Sequence, residues 1–251
     1  MFLRYFVELS YNGKDYHGWQ YQPNAISVQE VIENALTVLI GHKTTVVGCG
    51  RTDAGVHALQ YYLHFDVRKK IEESKLKFKL NAFLPYSISV HRIFLVKEDD
   101  HARFDAVSRS YEYRIYLGKN PFLLDTTWQV QNQVYDLDKM NAASRALYGF
   151  RNFKAFSKSK TDVKTYDCEI SRAEWMIEGD LLTFYITANR FLRNMVRAIV
   201  GTLLDVGNGK KTLEDFIEII ENKDRTCAGA SVKAKGLFLS KVKYPENILN
   251  N

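Results

Sequence analysis

The sequence is poor in the residues and patterns that announce a cofactor, a metal or a membrane. Only three cysteines occur in 251 residues, Cys49, Cys168 and Cys227, far apart and without CxxC spacing. That argues against a disulfide framework and a cysteine-based zinc site, and it fits a reducing cytoplasm. Six histidines are scattered with neither HExxH nor His/Cys spacing, so no metal is assigned. Neither a Walker loop nor a GxGxxG fingerprint is present, and no nucleotide cofactor is implied. No apolar run approaches the roughly 18–20 residues of a membrane span. The opening residues Met1–Glu8 read as a strand with an early charge, not as a signal peptide. No linker rich in proline, glycine or serine divides the chain.

What is present is a globular composition with misplaced charge. Hydrophobic residues make up 46% and charged residues 25%, with a net charge of +6. Residues 1–50 carry three basic and four acidic side chains. Residues 186–211 carry five basic (Arg190, Arg193, Arg197, Lys210, Lys211) against Asp205 alone, and residues 151–172 carry six against three. Clustering of this kind suits a phosphate-binding surface. The stretch Phe150–Lys160, which interleaves aromatic and basic residues, suits one too; a helix end with a solvated loop is the plainer alternative.

Periodicity places the elements. Strands are expected at 3–10, 60–67, 89–96, 110–117, 168–177, 181–188 and about 236–243, with a β-branched run at Thr44–Val47. Ser27 and Glu30 form a capping-box pattern ahead of helical spacing from Val28 to Leu39. A helix is expected over about 138–148, closed by Gly149 at C′. Asn189 offers an N-cap for a long helix ending at Gly207, and Thr212 one for a shorter helix burying Phe216, Ile219 and Ile220. On the long helix Arg190, Arg193 and Arg197 would share a face, opposite a stripe of Leu192, Met195, Ile199 and Leu203. Strand–helix–strand–strand–helix order in both parts suggests an internal duplication with a boundary near 100–108. The fold class is α+β, with two pseudo-symmetric halves, 1–105 and 106–251, sharing a central, mostly antiparallel sheet flanked by helices.

The most informative segment is Gly48-Cys-Gly-Arg-Thr-Asp-Ala-Gly-Val-His57. Three glycines in eight residues mark a backbone that bends sharply or is closely approached. On spacing alone, Asp53 reads as a turn residue as readily as a reactive one. Gly50-Arg-Thr-Asp-Ala-Gly-Val-His57 resembles the signature of the tRNA pseudouridine synthase A family. The resemblance continues through Tyr11–Gln20, Ser27-Val-Gln29, Asn81 with Leu84-Pro85, His101-Ala-Arg-Phe104, Tyr111-Glu-Tyr113, Phe191, Met195-Val-Arg197, Val200-Gly201 and Gly236-Leu237. It spans essentially the whole chain, and departs at Val232-Lys233, where the family often has Ala-Pro.

The resemblance implies the pseudouridine synthase fold, with the active site in the cleft between the halves. It implies isomerisation of uridine to pseudouridine in tRNA, at positions 38 to 40 of the anticodon stem-loop, by a cytoplasmic homodimer that needs neither cofactor nor metal. Asp53 matches the catalytic aspartate and Arg197 its ion-pair partner. Tyr111 matches the active-site tyrosine, and Leu237 a wall of the uracil pocket. Arg51 stands where it can hold the phosphate or ribose of the flipped nucleotide. The chemistry agrees: the redox state does not change, and a carboxylate beside a ribose stays ionised in a pocket only if a cation or hydrogen bonds favour its charged form. His17, His57 and His101 lie in matching blocks but receive no chemical role. Three rivals stand against this reading: a non-catalytic RNA-binding protein, a hydrolase or phosphotransferase built on the Asp53 loop, and a synthase acting elsewhere in RNA.

Overall fold

The computed structural model describes residues 2–158 and 163–249. The chain forms two compact units, Met1–Ser108 with Leu239–Asn251, and Arg109–Phe238.

The first unit is an antiparallel sheet covered by two helices. Strand β1 (Leu3–Tyr11) pairs antiparallel with β3 (His57–Val67) and with β4 (Ile88–Val96), and the short β2 (Val47–Gly48) adds to β3. Residues of β9 (Leu237–Lys243) lie on the other side of β3. Tyr5, Phe6, Val7 and Leu9 are all buried, so β1 is covered on both faces, as a central strand must be. Helix α1 (Val28–Ile40) starts where Ser27 Oγ accepts from the Glu30 N–H at 3.2 Å. It stops at Gly41, whose φ of 86° is open to glycine at little cost. Val28, Ile32, Ala35 and Leu36 form its buried stripe.

Helix α2 (Glu73–Phe83) is not visible in the periodicity. It buries only Leu76 and Leu80, and Glu72 at its N-cap makes no side-chain cap bond. The β-branched run Thr44–Val47 yields a strand only at Val47–Gly48.

The second unit builds its sheet from β5 (Ser108–Leu117), β7 (Ile170–Glu178) and β8 (Leu181–Ala188), with β8 antiparallel to both. The short β6 (Trp128–Val130) pairs with β5 in parallel. Helices α3 (Leu137–Ala146), α4 (Met195–Gly207) and α5 (Leu213–Asn222) pack on one another, and α3 also meets β7. The capping box at Thr212 closes in both directions, Asp215 N–H to Thr212 Oγ1 at 3.1 Å and Thr212 N–H to Asp215 Oδ2 at 2.8 Å. The short α6 (Glu246–Leu249) ends the described chain in the first unit.

Two expected helix boundaries are corrected. Helix α3 tightens into a 3-10 turn over Leu147–Gly149, and Gly149 is not in the left-handed region required of a C′ glycine. Helix α4 begins not after Asn189 but at Met195, behind Asn194 at φ 66°. Asn189 is occupied elsewhere. Its side-chain oxygen accepts from the Glu169 N–H at 2.9 Å and its own N–H donates to the Glu169 carbonyl at 3.1 Å, extending the sheet. Arg190 and Arg193 therefore precede the helix, and the shared basic face with Arg197 does not form. The apolar stripe does: Leu192, Met195, Ile199 and Leu203 are all buried.

Candidate active site

In the first unit the Asp53 loop rests in a cradle made by residues 11–20. Trp19 N–H donates to the Thr52 carbonyl at 3.2 Å, and the hydroxyls of Tyr11 and Thr52 share a 2.8 Å hydrogen bond. Gly55 N–H donates to the Tyr16 carbonyl at 3.2 Å, and Val56 N–H to the Asp53 carbonyl at 3.1 Å, which closes a tight turn over 53–56. The two chains approach so closely that only glycine fits. A Cβ on Gly13 would lie 2.0 Å from the Val56 carbonyl oxygen, and one on Gly18, at φ 90°, would lie 2.4 Å from that of Thr52. The matching block Tyr11–Gln20 thereby gains a physical role: it fixes the backbone on which Asp53 sits.

Beneath the loop, Trp19 and Tyr61 stack with ring centroids 4.1 Å apart, and the Tyr61 hydroxyl donates to the Gly50 carbonyl. Burial pushes that hydroxyl's pKa well above its ordinary value, so it stays a donor. His57 Nδ1 accepts from the Gly13 N–H at 3.1 Å and is buried, a structural use in keeping with the absence of any chemical assignment. Asp53 itself is half-buried and Arg51 is exposed.

The second unit holds Tyr111, Arg197 and Leu237. Tyr111 is half-buried on β5, opposite Ile186, and its ring meets Phe191 edge-on at 5.1 Å. Two residues along the same face, Tyr113 is fully buried and donates its hydroxyl to the Lys233 carbonyl at 2.8 Å. Burial raises the Tyr113 hydroxyl's pKa, with Arg197 opposing. Arg197, on α4, is clasped reciprocally to Val232. Its Nε donates to the Val232 carbonyl at 2.8 Å, and its carbonyl accepts from the Val232 N–H at 3.2 Å. These are backbone groups, so Val232-Lys233 can serve where the family often has Ala-Pro.

The clasp is part of a longer strap, Ala228–Gly236, laid along α4. A Cβ on Gly201 would lie 1.8 Å from the Ala230 carbonyl oxygen, and Gly229 N–H donates to Thr202 Oγ1 at 2.9 Å. Arg225 reaches the Gly229 carbonyl at 3.2 Å and Ser231 Oγ at 3.0 Å. At the far end Gly236 packs against Tyr113 and the Arg114 carbonyl, delivering Leu237 as a buried residue at the start of β9. Tyr111, Arg197 and Leu237 are thus tied into one framework through Tyr113 and the strap, while Arg51 and Asp53 share the other. Tyr113, Gly201 and Gly236 lie in the matching blocks, but the sequence assigned no role to Tyr113 or to the strap.

The Phe150–Lys160 stretch is not an interleaved surface. Phe153 and Phe156 are fully buried, the latter against Phe216, and Arg151, Lys154 and Lys158 are exposed. Its last residues, Ser159 and Lys160, lie outside the described residues.

Comparison with known proteins gives this arrangement a class. A family model described as tRNA pseudouridine synthase matches residues 9–105 and 143–245, and the chain belongs to that family. Its relatives narrow the likeness. The chain is 49% identical to tRNA pseudouridine synthase A of Bacteroides thetaiotaomicron over 98% of its length and 93% of the relative's. It is 49% identical to that of Bacteroides fragilis over 98% of each. To that of Bacillus licheniformis it is 41% identical, over 96% of this chain and 99% of the relative. No helix among the described residues is long and apolar enough to cross a membrane.

Proposed function

We propose that this protein isomerises uridine to pseudouridine in tRNA, at positions 38 to 40 of the anticodon stem-loop, with Asp53 as its catalytic carboxylate. The observation that carries the reading is the Asp53 loop. Its neighbouring peptides are fastened to residues 11–20, while the aspartate side chain stays half-buried at the tip. Fixing a reactive group's backbone in advance removes reorganisation from the barrier.

In the reaction the target nucleotide is everted, which costs a few kcal/mol and least in a weakly paired region. Asp53 either attacks C1′ as the N1–C1′ bond breaks, or removes the C2′ proton to give a glycal. The freed uracil rotates, C5 bonds to C1′, and the C5 proton leaves to a base. Tyr111 supplies the flat partner for the uracil, and its hydroxyl is a candidate acceptor for that proton. Leu237 walls the pocket, and Arg51 holds the phosphate or ribose. The resemblance to the family supports Arg197 as the ion-pair partner of Asp53; its Nε donates to the Val232 carbonyl. The resemblance to the family supports a homodimer, with one tRNA lying across both subunits, working in the cytoplasm.

The test uses unmodified tRNA carrying tritium at C5 of uridine. The wild type releases label to water, with or without chelator, and Asp53→Asn releases none while binding tRNA as before. Release by the Asn variant, or release abolished by chelator, sinks the assignment. Mapping the modified position then separates the anticodon stem-loop from other sites.

A further inference from the structure

We infer that Phe104 and Arg103 form a fixed stacking platform for an unpaired base of the RNA, an inference that rests on the RNA substrate proposed above. Phe104 is 73% exposed, and Arg103 is exposed beside it with its guanidinium carbon 5.7 Å from the ring centroid. What distinguishes Phe104 from an incidental surface aromatic is the rigidity beneath it. The ring lies 4.3 Å from that of His101, tilted by 33°. His101 meets His64 edge-on at 4.7 Å, and His64 stacks on the core residue Phe6 at 6.0 Å.

The backbone is equally committed. His101 Nδ1 accepts from the N–H groups of Arg103 at 3.1 Å and Phe104 at 3.3 Å, and His64 Nδ1 accepts from that of Ala102 at 3.0 Å. Asp105 Oδ2 accepts from the His101 N–H at 2.6 Å, and the Ala102 carbonyl takes the Tyr244 hydroxyl. Arg4 donates to the Asp100 carbonyl at 3.0 Å. Residues 100–105 are therefore nailed to the core, and two of their side chains, aromatic Phe104 and cationic Arg103, are exposed. Burial and nearby positive charge lower the pKa of both histidines, keeping the accepting nitrogens unprotonated near neutrality. A flat ring with an adjacent guanidinium is the chemistry that receives a nucleobase and its phosphate: every base has a π-face, and the cation meets the backbone.

Stacking one base on an aromatic side chain is worth about five- to 150-fold in affinity. Affinity for unmodified tRNA is measured at one fixed salt concentration for the wild type, Phe104→Ala and Phe104→Trp. Phe104→Ala is expected to bind at least about fivefold more weakly with an unchanged thermal midpoint, and Phe104→Trp to bind like the wild type. In the Trp variant, tRNA binding should also quench the introduced indole. An Ala variant that binds like the wild type overturns the platform. Equal losses in Ala and Trp, with no indole quenching, overturn it too, because they assign the ring a structural part. Wild-type tritium release is followed in parallel, so failure of the catalytic reading shows there and not in these binding ratios.

Discussion

The Asp53 loop and the Arg197 strap solve one problem by opposite means. Around Asp53 the backbone is held by exclusion: Gly13 and Gly18 let one chain lie so close to another that no side chain fits between them. The aspartate side chain is half-buried at the tip of the loop so held. Around Arg197 the proposed functional side chain is itself part of the scaffold, donating Nε to Val232 while its backbone receives that residue's N–H. Damage to the first region should therefore fall mainly on chemistry, and damage to the second should be shared between stability and chemistry.

The largest expected effect is on the first region. Gly18→Ala would force a Cβ against the Thr52 carbonyl at a φ that L side chains rarely adopt. Displacing the Asp53 backbone by about an ångström should cut tritium release by about 10²-fold. Gly201→Ala, against the Ala230 carbonyl, should instead cost about 1–3 kcal/mol of stability, read by denaturant unfolding. If Gly18→Ala lost stability but kept its rate, the contrast would be broken.

Acid sharpens the contrast next. Burial first, and then the positive charge of Arg4, push the His64 pKa down to about 4 from its ordinary 6.5. The folded state thus favours neutral His64. The stability this represents is fully present above pH 6.5 and is lost as pH falls from there through 4, up to about 3 kcal/mol. Unfolding measured across that window should show the loss in the wild type and a shallower slope in His64→Gln. The smallest effect belongs to Tyr113→Phe, which removes the bond to the Lys233 carbonyl and should cost about 1 kcal/mol, with tritium release near the wild-type rate.

How much was legible beforehand follows from which interactions leave a local trace. The α5 cap and its apolar stripe read directly, because Thr212, Asp215, Phe216, Ile219 and Ile220 lie within one short segment. Strand β5 was visible in its alternation. Helix α2 was not, since two buried leucines and no side-chain cap bond leave little pattern. The start of α4 was misjudged because Asn189 bonds to Glu169, a partner no local window contains. The Asp53 loop stood out through its glycines, yet the close approaches that fix its backbone come from Gly13 and Gly18, far away in sequence. Tyr113 and the strap were missed for the same cause: a backbone carbonyl as acceptor leaves no mark in residue type.

The last strand has a consequence for how this chain is made. Residues from Leu239 onward belong with the first unit, where the Val242 N–H donates to Gln60 at 3.0 Å and Tyr244 caps Ala102. On a ribosome those residues emerge only after the entire second unit. The β-sheet begun first is thus completed last, with the part of β3's flank that β2 does not cover awaiting its neighbour throughout synthesis. A nascent chain stalled before residue 239 should expose that flank to chaperones, even with its second unit already folded.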